Sequence, residues 1–408
     1  MVLKLILIVF IVSCAKISPT PDKNQITIFH WNIKELTSDK LDNKDHSQLK
    51  AVEEVISDYE FDILSLNEIQ YDMPGVPSYL NKTNGENLTK FAKRIGLNPA
   101  NWSQVFTPAN TGSFAKRKKD LSYYVEESPQ ARMNADPVNY GLFPGQYSTA
   151  ALIKADLSEK VSINKLKWRD FNPKAKPSNF KMANGRSLPD DMVLFDKNFN
   201  HAVSSFHGRD VHLIFFHTVP SYGFGNKFTP NFKRNADQLR FLEWYVTGTT
   251  DFDVKLDRSR WPEIKKDSYV IVVGDLNADI NQKDNPGGFV IKRLMKSLNP
   301  WMDNPGITNE SPGFGPKPFQ LTLDYLLVSK NITIKDARII KPETNYTNLG
   351  CTKADMIKAK RDIRARHKVA EYVNDKTKKT CYAAVSLPYY TVKTASDHFP
   401  IFAKLSLD

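Results

Sequence analysis

The chain has 408 residues, of which 41% are hydrophobic and 25% charged, and its formal net charge is +12. This apolar content supplies one large core with insertions, and a basic surface attracts polyanions such as nucleic acid or anionic lipid headgroups. Beyond the N-terminus no segment approaches about 18 consecutive apolar residues, which excludes a spanning helix there. Charge alone does not distinguish a polyanion-binding protein from a merely basic soluble one.

The first fourteen residues indicate export. Lys4 precedes an apolar run from Leu5 to Val12, which is too short to span a bilayer but typical of a signal-peptide core. The run ends at Cys14 in a pattern that resembles the lipobox of bacterial lipoproteins, where cleavage leaves a lipidated cysteine. We therefore predict a signal peptide over 1–13, a lipid anchor at Cys14 and a flexible tether over 14–25, with membrane anchoring on the periplasmic or cell-surface side. The alternative is an ordinary secretory signal with an incidental cysteine.

The two remaining cysteines form one candidate pair. Cys351 and Cys381 lie in a chain that is expected to reach an oxidising compartment, which predicts a disulfide between them. Two buried free thiols are the alternative. A zinc site is disfavoured because no second close pair of ligands accompanies the cysteines.

Apolar runs and turn residues predict an alternation of strands and helices in one domain over 26–408. An amphipathic helix is predicted from Ser47 to Tyr59 and another at about 231–247, while residues 72–145 are expected to be irregular. Such a mixture predicts two packed sheets flanked by helices. The predicted strands are 26–33, 61–67, 147–154, 211–217, 269–274, 323–328 and 399–405.

Polar residues that can ligate a metal or move a proton follow five of these apolar runs. If the strands converge, the side chains share one edge, and such a set is typical of a hydrolytic metal site. Taken alone, Glu68 is better explained as an ordinary carboxylate at a strand end, and His217 as a core imidazole with satisfied hydrogen bonds, than either is as a catalytic group. The three carboxylates, two histidines and two amides are Asn32, Glu68, His217, Asp275 with Asn277, and Asp397 with His398.

In this order, the five positions resemble the endonuclease/exonuclease/phosphatase superfamily over about Thr27 to Leu405. The resemblance implies a four-layer α/β sandwich with two central mixed β-sheets flanked by helices, and a monomeric hydrolase that cleaves phosphoesters with a divalent cation. That cation is expected to be Mg²⁺, with Mn²⁺ or Ca²⁺ as alternatives.

The resemblance also implies roles for individual residues. Glu68 becomes the principal metal ligand, and Asn32 and Asp397 complete or support an oxygen-rich shell. His398 takes the position of the imidazole that contacts the scissile phosphate or deprotonates water, with Asp324 orienting it.

The opposite side of the implied site comes from the other motifs. Asp275 and Asn277 match the pair that aligns the attacking water and contacts phosphate, and His217 faces them as a donor. Histidine at this position is found in the deoxyribonuclease and sphingomyelinase branches, whereas base-excision endonucleases have tyrosine, which disfavours a DNA-repair role. Gln146 and Tyr147 are expected either to line the phosphate pocket or to pack at a strand start.

The substrate is less sharply indicated. Between Cys351 and Cys381, ten Lys or Arg oppose four Asp or Glu, within a basic insertion at about 331–394. An apolar stripe of Met356, Ala359, Ile363, Ala370 and Val373 predicts a helix there, and Lys358, Arg361 and Arg364 on its outer face are candidate contacts to a nucleic acid. The alternative is a solvated basic helix. The run Lys116-Arg117-Lys118-Lys119 is interpreted as a solvated turn.

Three functions therefore remain open. The favoured one is an exported phosphodiesterase or endonuclease acting on nucleic acid. The others are a phospholipid or sugar-phosphate esterase, and a surface binding lipoprotein without catalysis.

Overall fold

The structure, a computed structural model, describes residues 24–182, 185–221, 228–301, 306–311, 313–362 and 366–407. The predicted signal peptide, Cys14, nearly all of the predicted tether and Arg364 lie outside the described residues. None of the helices in these ranges has the length and apolar content that crossing a bilayer requires.

Strands supply both central sheets and two smaller ones. Those of the described residues are β1 (Gln25–Leu36), β2 (Ile63–Ile69), β3 (Ser103–Phe106), β4 (Ser148–Ile153), β5 (Leu157–Ile163), β6 (Phe199–Phe206), β7 (Arg209–His217), β8 (Tyr269–Asp275), β9 (Asn299–Pro300), β10 (Asn309–Ser311), β11 (Phe319–Leu321), β12 (Asp324–Val328), β13 (Ile332–Ile339), β14 (Thr347–Gly350), β15 (His367–Val373), β16 (Thr380–Ser386) and β17 (Ile401–Leu407).

Helices cover the outer faces of the sheets. The longest, α6, starts with a proline at its first turn and ends at Gly248, whose φ of 82° provides the left-handed C-terminal cap. The helices described are α1 (Ser38–Asp42), α2 (Ser47–Ser57), α3 (Asn87–Arg94), α4 (Pro129–Asn134), α5 (Trp168–Phe171), α6 (Pro230–Thr247), α7 (Pro286–Ser297), α8 (Lys353–Asp362) and α9 (Leu387–Ala395).

Two six-stranded sheets form the centre of the fold. The first has the order β13-β17-β1-β2-β4-β3 and the second the order β5-β6-β7-β8-β12-β9. Among the described strands, β1 and β2 are the parallel pair of the first sheet, and β7 and β8 are the parallel pair of the second. The neighbours of these pairs run antiparallel, so both sheets are mixed as predicted.

Alternation along the strands produces the layers. On β1, Ile28 joins the core between the two sheets, while Phe29 and Trp31 join the core beneath α2, α3 and α9. On β7, Phe215 faces the first sheet, while Phe216 packs with α6 and α7. Because successive side chains of a strand point to opposite faces, each central strand serves two apolar layers. The predicted four-layer sandwich is confirmed.

The segment around the two cysteines departs from the helical prediction. Among the described residues of this segment the helix covers Lys353–Asp362, and β15 begins at His367. On β15, Ala370 is 2% exposed and Val373 is 59% exposed. The predicted single apolar stripe is therefore wrong, because this part of the segment alternates with the period of a strand. A disulfide joins Cys351 to Cys381 on β16 and closes the small sheet β14-β16-β15.

The ends of the basic segment belong to the main body of the fold. At its start, β13 pairs with β17 at the edge of the first sheet. At its end, α9 contributes Tyr389 and Val392 to the core that α2 covers. The residues between β13 and α9 form the disulfide-closed sheet and α8, and this sheet packs on the same core through Ala370 and Val385.

Residues 72–145 contain regular elements that were not predicted. They include α3, β3 and α4, and β3 extends the first sheet by pairing with β4. Leu88 and Phe91 of α3 are fully buried in the core beside α2.

Gly274 is the position of β8 where an added side chain is least tolerated. A Cβ there would lie 1.7 Å from the Phe216 carbonyl oxygen of the neighbouring strand. We predict that Gly274→Ala lowers the free energy of unfolding by about 3 kcal/mol, because a buried strand pair cannot separate without disturbing both packed faces. Urea unfolding measures the change. Gly315→Ala, whose Cβ would have its nearest contact at 3.8 Å, is the matched control, and equal stability of the two variants would contradict this prediction.

Candidate active site

Strand direction brings the predicted positions together. Asn32, Glu68, His217 and Asp275 lie at or near the carboxyl ends of β1, β2, β7 and β8, and each parallel pair has both ends at one edge. Asp324 begins β12 directly opposite Asp275 in the antiparallel register. Since β17 runs antiparallel to β1, the residues before it, including His398, reach the same edge.

Asn32 connects the two sheets at this edge. Its Nδ2 donates to Glu68 Oε1 at 3.0 Å and to Asp275 Oδ2 at 3.0 Å, so one amide bridges a carboxylate of each sheet. Its Oδ1 accepts from the Lys34 backbone N–H at 3.1 Å. Asn32 is 1% exposed, and all of these contacts fix its amide within the cluster.

Glu68 owes its orientation to a β-bulge. The register between β2 and β4 shifts between Asn67 and Ile69, and Glu68 adopts a φ of 66°. A bulge re-aims a side chain away from the normal alternation of a strand. Its neighbour Asn67 remains between the sheets, where its Oδ1 accepts from the Asp275 backbone N–H at 2.8 Å.

Asp324 pairs with His398 and also contacts a second histidine, His30. His398 Nδ1 lies 2.7 Å from Asp324 Oδ2, while His30 Nε2 lies 3.2 Å from Asp324 Oδ1. His30 Nδ1 in turn contacts Ser65 Oγ at 3.0 Å. With Nδ1 facing Asp324, the other nitrogen of His398 faces the cluster, 3.9 Å from Asp275 Oδ2.

The pKa values of His398 and Asp324 are shifted in opposite directions. Burial lowers the pKa of His398, but the carboxylates of Asp324, Asp275 and Asp397 outweigh it and raise that pKa to about 10. Burial raises the pKa of Asp324, yet the charges and hydrogen bonds of His398 and His30 hold it well below its usual range. Both shifts favour the charged forms of His398 and Asp324, and the 2.7 Å contact between them joins opposite charges.

His217 has the opposite character. Its Nε2 lies 3.4 Å from Asp275 Oδ2, and within the described part of the chain its buried Nδ1 has no hydrogen-bond partner. Burial, assisted by the charge of Lys197, lowers the pKa of His217 well below its usual value. Lys197 is itself buried, and its Nζ contacts Asp196 at 2.9 Å and the Thr218 carbonyl at 3.3 Å.

Two carboxylates of the cluster, Glu68 and Asp275, have raised pKa values even though the charge of His398 opposes the rise. Burial and the neighbouring Asp324 raise the pKa of Asp275 to about 7. Burial and then the charge of Glu35 raise the pKa of Glu68. Both shifts mean that an added cation would stabilise the ionised forms.

The donor atoms fit a divalent cation. Ligand atoms of Glu68, His217 and Asp275 lie within 4.8 Å of one another, as do those of Asp275, Asp324 and His398. Of the predicted metal ligands, Glu68 and Asn32 are in direct contact. Asp397 faces Lys34, with 3.4 Å between Oδ2 and Nζ, and its charge also acts on Glu68. Carboxylate oxygens of this kind suit a hard divalent cation, and among the described residues Glu68, His217 and Asp275 form one group that could hold it.

Asn277 and Gln146 are engaged with the protein itself. Asn277 has a φ of 48°, its backbone N–H donates to Asp275 Oδ1 at 2.8 Å, and its Nδ2 donates to the Thr218 carbonyl at 3.0 Å. These bonds tie the ends of β7 and β8 together. Gln146 is 3% exposed and accepts the Leu142 N–H at 2.6 Å, which favours the packing alternative for this residue.

Tyr147 lies at the rim of the cluster. Its hydroxyl donates to Glu35 Oε1 at 2.9 Å, and the backbone N–H of Glu35 donates to Glu68 Oε2 at 3.2 Å. Burial and the charge of Glu35 raise the pKa of Tyr147 well above its usual value, so the phenol stays protonated. Tyr147 is therefore linked to Glu68 by hydrogen bonds through one intermediate residue, Glu35.

The basic candidates are separate from this cluster. Lys358 and Arg361 are exposed on α8, which packs against β14, β15 and β16, while Arg364 lies outside the described residues. The chain continues from the small sheet through β16 and α9 into Ser396-Asp397-His398. The segment that carries these cations therefore precedes His398 in the order of elements.

Several residues of the site were not predicted from the sequence. His30, Lys34, Glu35, Asn67 and Lys197 all contact predicted members of the cluster or their direct neighbours. For His30 a signal existed, because it precedes Asn32 by two positions on one strand and therefore shares its face. Asn67 acts across the two sheets, and Lys197 acts from just before β6 on the residue that follows β7. No local pattern identifies either residue.

Comparison with known proteins agrees with this geometry. A profile described as "Endonuclease/Exonuclease/phosphatase family" matches residues 29–398. Among curated proteins, none matches the sequence at a significant level.

Solved structures with the same fold are distant in sequence. An endonuclease/exonuclease/phosphatase from Beutenbergia cavernae is 12% identical with a TM-score of 0.51, covering 94% of this chain and 72% of that chain. D. rerio TDP2 complexed with single strand DNA product is 12% identical with a TM-score of 0.45, covering 94% and 99%. A beta toxin from Staphylococcus aureus is 14% identical with a TM-score of 0.44, covering 93% and 99%. Because the family profile spans nearly the whole chain, this protein belongs to the endonuclease/exonuclease/phosphatase family.

Proposed function

We propose that this protein is an exported, divalent-metal-dependent phosphodiesterase that hydrolyses nucleic-acid backbones by in-line attack of water. The observation that carries the proposal is the meeting of Glu68, Asn32, Asp275, His217 and the His398–Asp324 pair at one edge. Family members are hydrolases acting on phosphoester bonds, and this cluster holds the groups that such a reaction needs.

Bound Mg²⁺ would supply a Lewis acid for the phosphate oxygens and lower the pKa of water. Around it the protein contributes fixed charges and hydrogen bonds. Asp275, whose pKa is raised to about 7 by burial and Asp324, is suited to accept a proton from water at neutral pH. His217 at 3.4 Å and His398 at 3.9 Å from its Oδ2 flank this carboxylate.

The two histidines have different tasks in this proposal. His398, held as an imidazolium by Asp324, donates to a nonbridging phosphate oxygen, where charge grows as the bond to water forms. His217 stays neutral in its buried position and orients the reacting groups by one hydrogen bond. Asp324 and His30 keep His398 in place.

Nucleic acid is the favoured substrate because of charge. The chain carries 57 Lys and Arg against 45 Asp and Glu. Lys358 and Arg361 of α8 are exposed and available to phosphates, and Arg364 follows them in the sequence. The proposed location is a bacterial membrane, on its periplasmic face or at the cell surface, through lipidation of Cys14.

A phospholipid or sugar-phosphate ester is the second candidate. It is favoured by exposed apolar side chains on the loops that lead to Tyr147, among them Leu80 at 66% and Leu121 at 61% exposure. Such side chains would suit an enzyme that works at a lipid surface. A binding lipoprotein without catalysis is the third candidate, and the first experiment below excludes it if turnover is found.

Plasmid DNA, RNA, sphingomyelin and a chromogenic phosphomonoester are incubated with the full chain, with Mg²⁺ or with chelator. We expect plasmid nicking that requires Mg²⁺ and falls roughly 10²-fold or more in Glu68→Gln and in His398→Ala. Glu54→Gln and His207→Ala, which alter exposed residues of the same types, should retain activity. Turnover of sphingomyelin alone would select the second candidate. If all four substrates survive with Mg²⁺ and with Mn²⁺, the proposed function is wrong.

The basic candidates are tested by salt dependence. Replacing Lys358, Arg361 and Arg364 with Gln should lower DNA affinity and reduce the slope of log affinity against log salt by about 1 per lost phosphate contact. A matched variant neutralises Lys255, Lys265 and Lys266, which precede β8 at the end of that strand away from Asp275. Identical slopes in both variants would remove α8 from the DNA-binding surface.

Lipidation is tested by metabolic labelling with a fatty acid in a bacterial host. Wild-type protein should incorporate the label and Cys14→Ser should not, because thioether attachment needs the cysteine sulfur. Equal labelling of both proteins would rule out an anchor at Cys14.

A further inference from the structure

The connection between β2 and β4 forms a lobe beside the active site. Residues 73–82 and 111–143, here called the rim lobe, enclose a small core of their own that is separate from the cores of the sandwich. The chain leaves this lobe through Gly145, whose carbonyl accepts the Tyr71 N–H at 3.0 Å, and reaches Tyr147 at the rim of the site. The buried members of the lobe core are Val76, Tyr123, Ala131, Ala135, Leu142 and Phe143.

Large apolar side chains cover the outside of the rim lobe. These side chains contribute little to its core, because each exposes half or more of its surface. Single exposed apolar residues are ordinary, whereas several on adjacent loops indicate an interaction surface. Their exposed fractions are Tyr79 51%, Leu80 66%, Phe114 66%, Leu121 61% and Met133 70%.

Backbone hydrogen bonds place the loops that carry these residues side by side. The Tyr123 N–H donates to the Pro77 carbonyl at 2.8 Å, which brings the turn at Leu121 beside the turn at Leu80. The Lys116 N–H donates to the Asn134 carbonyl at 2.8 Å, which brings the Phe114 loop beside Met133. The loops that carry the apolar tips are therefore neighbours, and Arg117, which donates to the Gly75 carbonyl, joins the two pairs of loops.

Basic residues are interleaved with the apolar tips. The run Lys116-Arg117-Lys118-Lys119 lies between Phe114 and Leu121, and residues 113–134 contain five basic against three acidic residues. Arg117 lies over the Tyr123 ring at 4.4 Å and also donates to the Gly75 carbonyl at 3.0 Å, while Lys116 and Lys119 are exposed. Lysines of this kind keep their ammonium groups at headgroup level while neighbouring apolar side chains go deeper.

We propose that the rim lobe is a membrane-contact surface that places Leu80, Phe114, Leu121 and Met133 among the headgroups of an anionic bilayer. Nucleic acid would pair with the lysines but leave the apolar tips in water. A bilayer interface satisfies both, since apolar burial and attraction of roughly 1 kcal/mol per basic residue act together there. The contact holds the rim of the active site, at Tyr147, close to the lipid surface.

This contact does not follow from an N-terminal anchor. Gln25 and Asn32 are at opposite ends of the paired part of β1, which separates them by roughly 23 Å at the rise of a strand. A tether that ends at residue 24 therefore approaches the domain from the end away from the active site and the rim lobe. The proposal is also independent of the substrate, because it concerns a surface and not the catalytic cluster.

The test uses the full chain with Cys14→Ser, so that the remaining cysteines are those of the disulfide. Leu121→Cys carries a polarity-sensitive fluorophore, and vesicles contain phosphatidylcholine alone or with about 30% phosphatidylglycerol. We expect a blue shift and roughly 2-fold brighter emission with the anionic vesicles, together with quenching by nitroxide-labelled lipids. The same label at Phe289→Cys on α7, which is 48% exposed, should not respond.

Charge reversal and the inactive enzyme complete the experiment. Lys116→Glu with Lys119→Glu should abolish the Leu121 response, whereas His398→Ala should keep it, because bilayer contact does not require catalysis. An unchanged Leu121 label on protein that sediments with the vesicles would overturn the proposal. A shift that appears with DNA or at high protein concentration without lipid would equally overturn it, in favour of nucleic acid or a second copy of the chain.

Discussion

The active site depends on one constraint, that the parallel strand pairs of two stacked sheets end at the same edge. β1 and β2 deliver Asn32 and Glu68, and β7 and β8 deliver His217 and Asp275. The Asn67 side chain accepts from the Asp275 backbone and Asn32 bridges Glu68 and Asp275, so the sheets are bonded to each other where the chemistry is placed. A shift of one residue in the register of either strand pair would turn these side chains to the other face of the sheet, and they would no longer lie together.

Ionising the buried carboxylates of the cluster is unfavourable, and a bound cation would stabilise their ionised forms. Glu68 and Asp275 both have raised pKa values because burial and neighbouring carboxylates oppose their ionisation. Around them Lys34, Glu35, Glu68 and Asn277 adopt left-handed backbone conformations, with φ of 48°, 50°, 66° and 48°. For residues other than glycine such conformations cost roughly 1 kcal/mol or more each. Charge crowding and backbone strain concentrated at one edge are typical of a site kept for function.

The segments around the site differ in what supports them. The sandwich is held by three continuous apolar layers, while the rim lobe has a small core of its own. The disulfide-closed sheet has a small apolar cluster on one side and adds Ala370 and Val385 to a main layer on the other. These two appendages carry the exposed basic residues Lys116, Lys119, Lys358 and Arg361. The proposed catalytic residues thus lie on the central sheets, and the surfaces proposed to meet a partner lie on segments added to them.

The sequence alone determined the fold class and the chemical groups of the site. Apolar strands of predictable period end in Asn32, Glu68, His217 and Asp275, and a motif before the last strand supplies His398. Such local order is readable because side-chain alternation and turn residues act over a few positions. The same local rules failed between Cys351 and Cys381, where Ala370 and Tyr372 alternate on a strand although the spacing also fitted a helical stripe.

Only the tertiary structure decided the partners of these groups. His30 reaches Asp324 across a sequence separation of 294 residues and Asn67 reaches Asp275 across 208, and neither contact follows from a local pattern. Strand order sets these pairings, as it brings Lys197 to the Thr218 carbonyl next to His217. The reason is physical: periodicity fixes which way a side chain points, whereas the packing of sheets fixes what it meets.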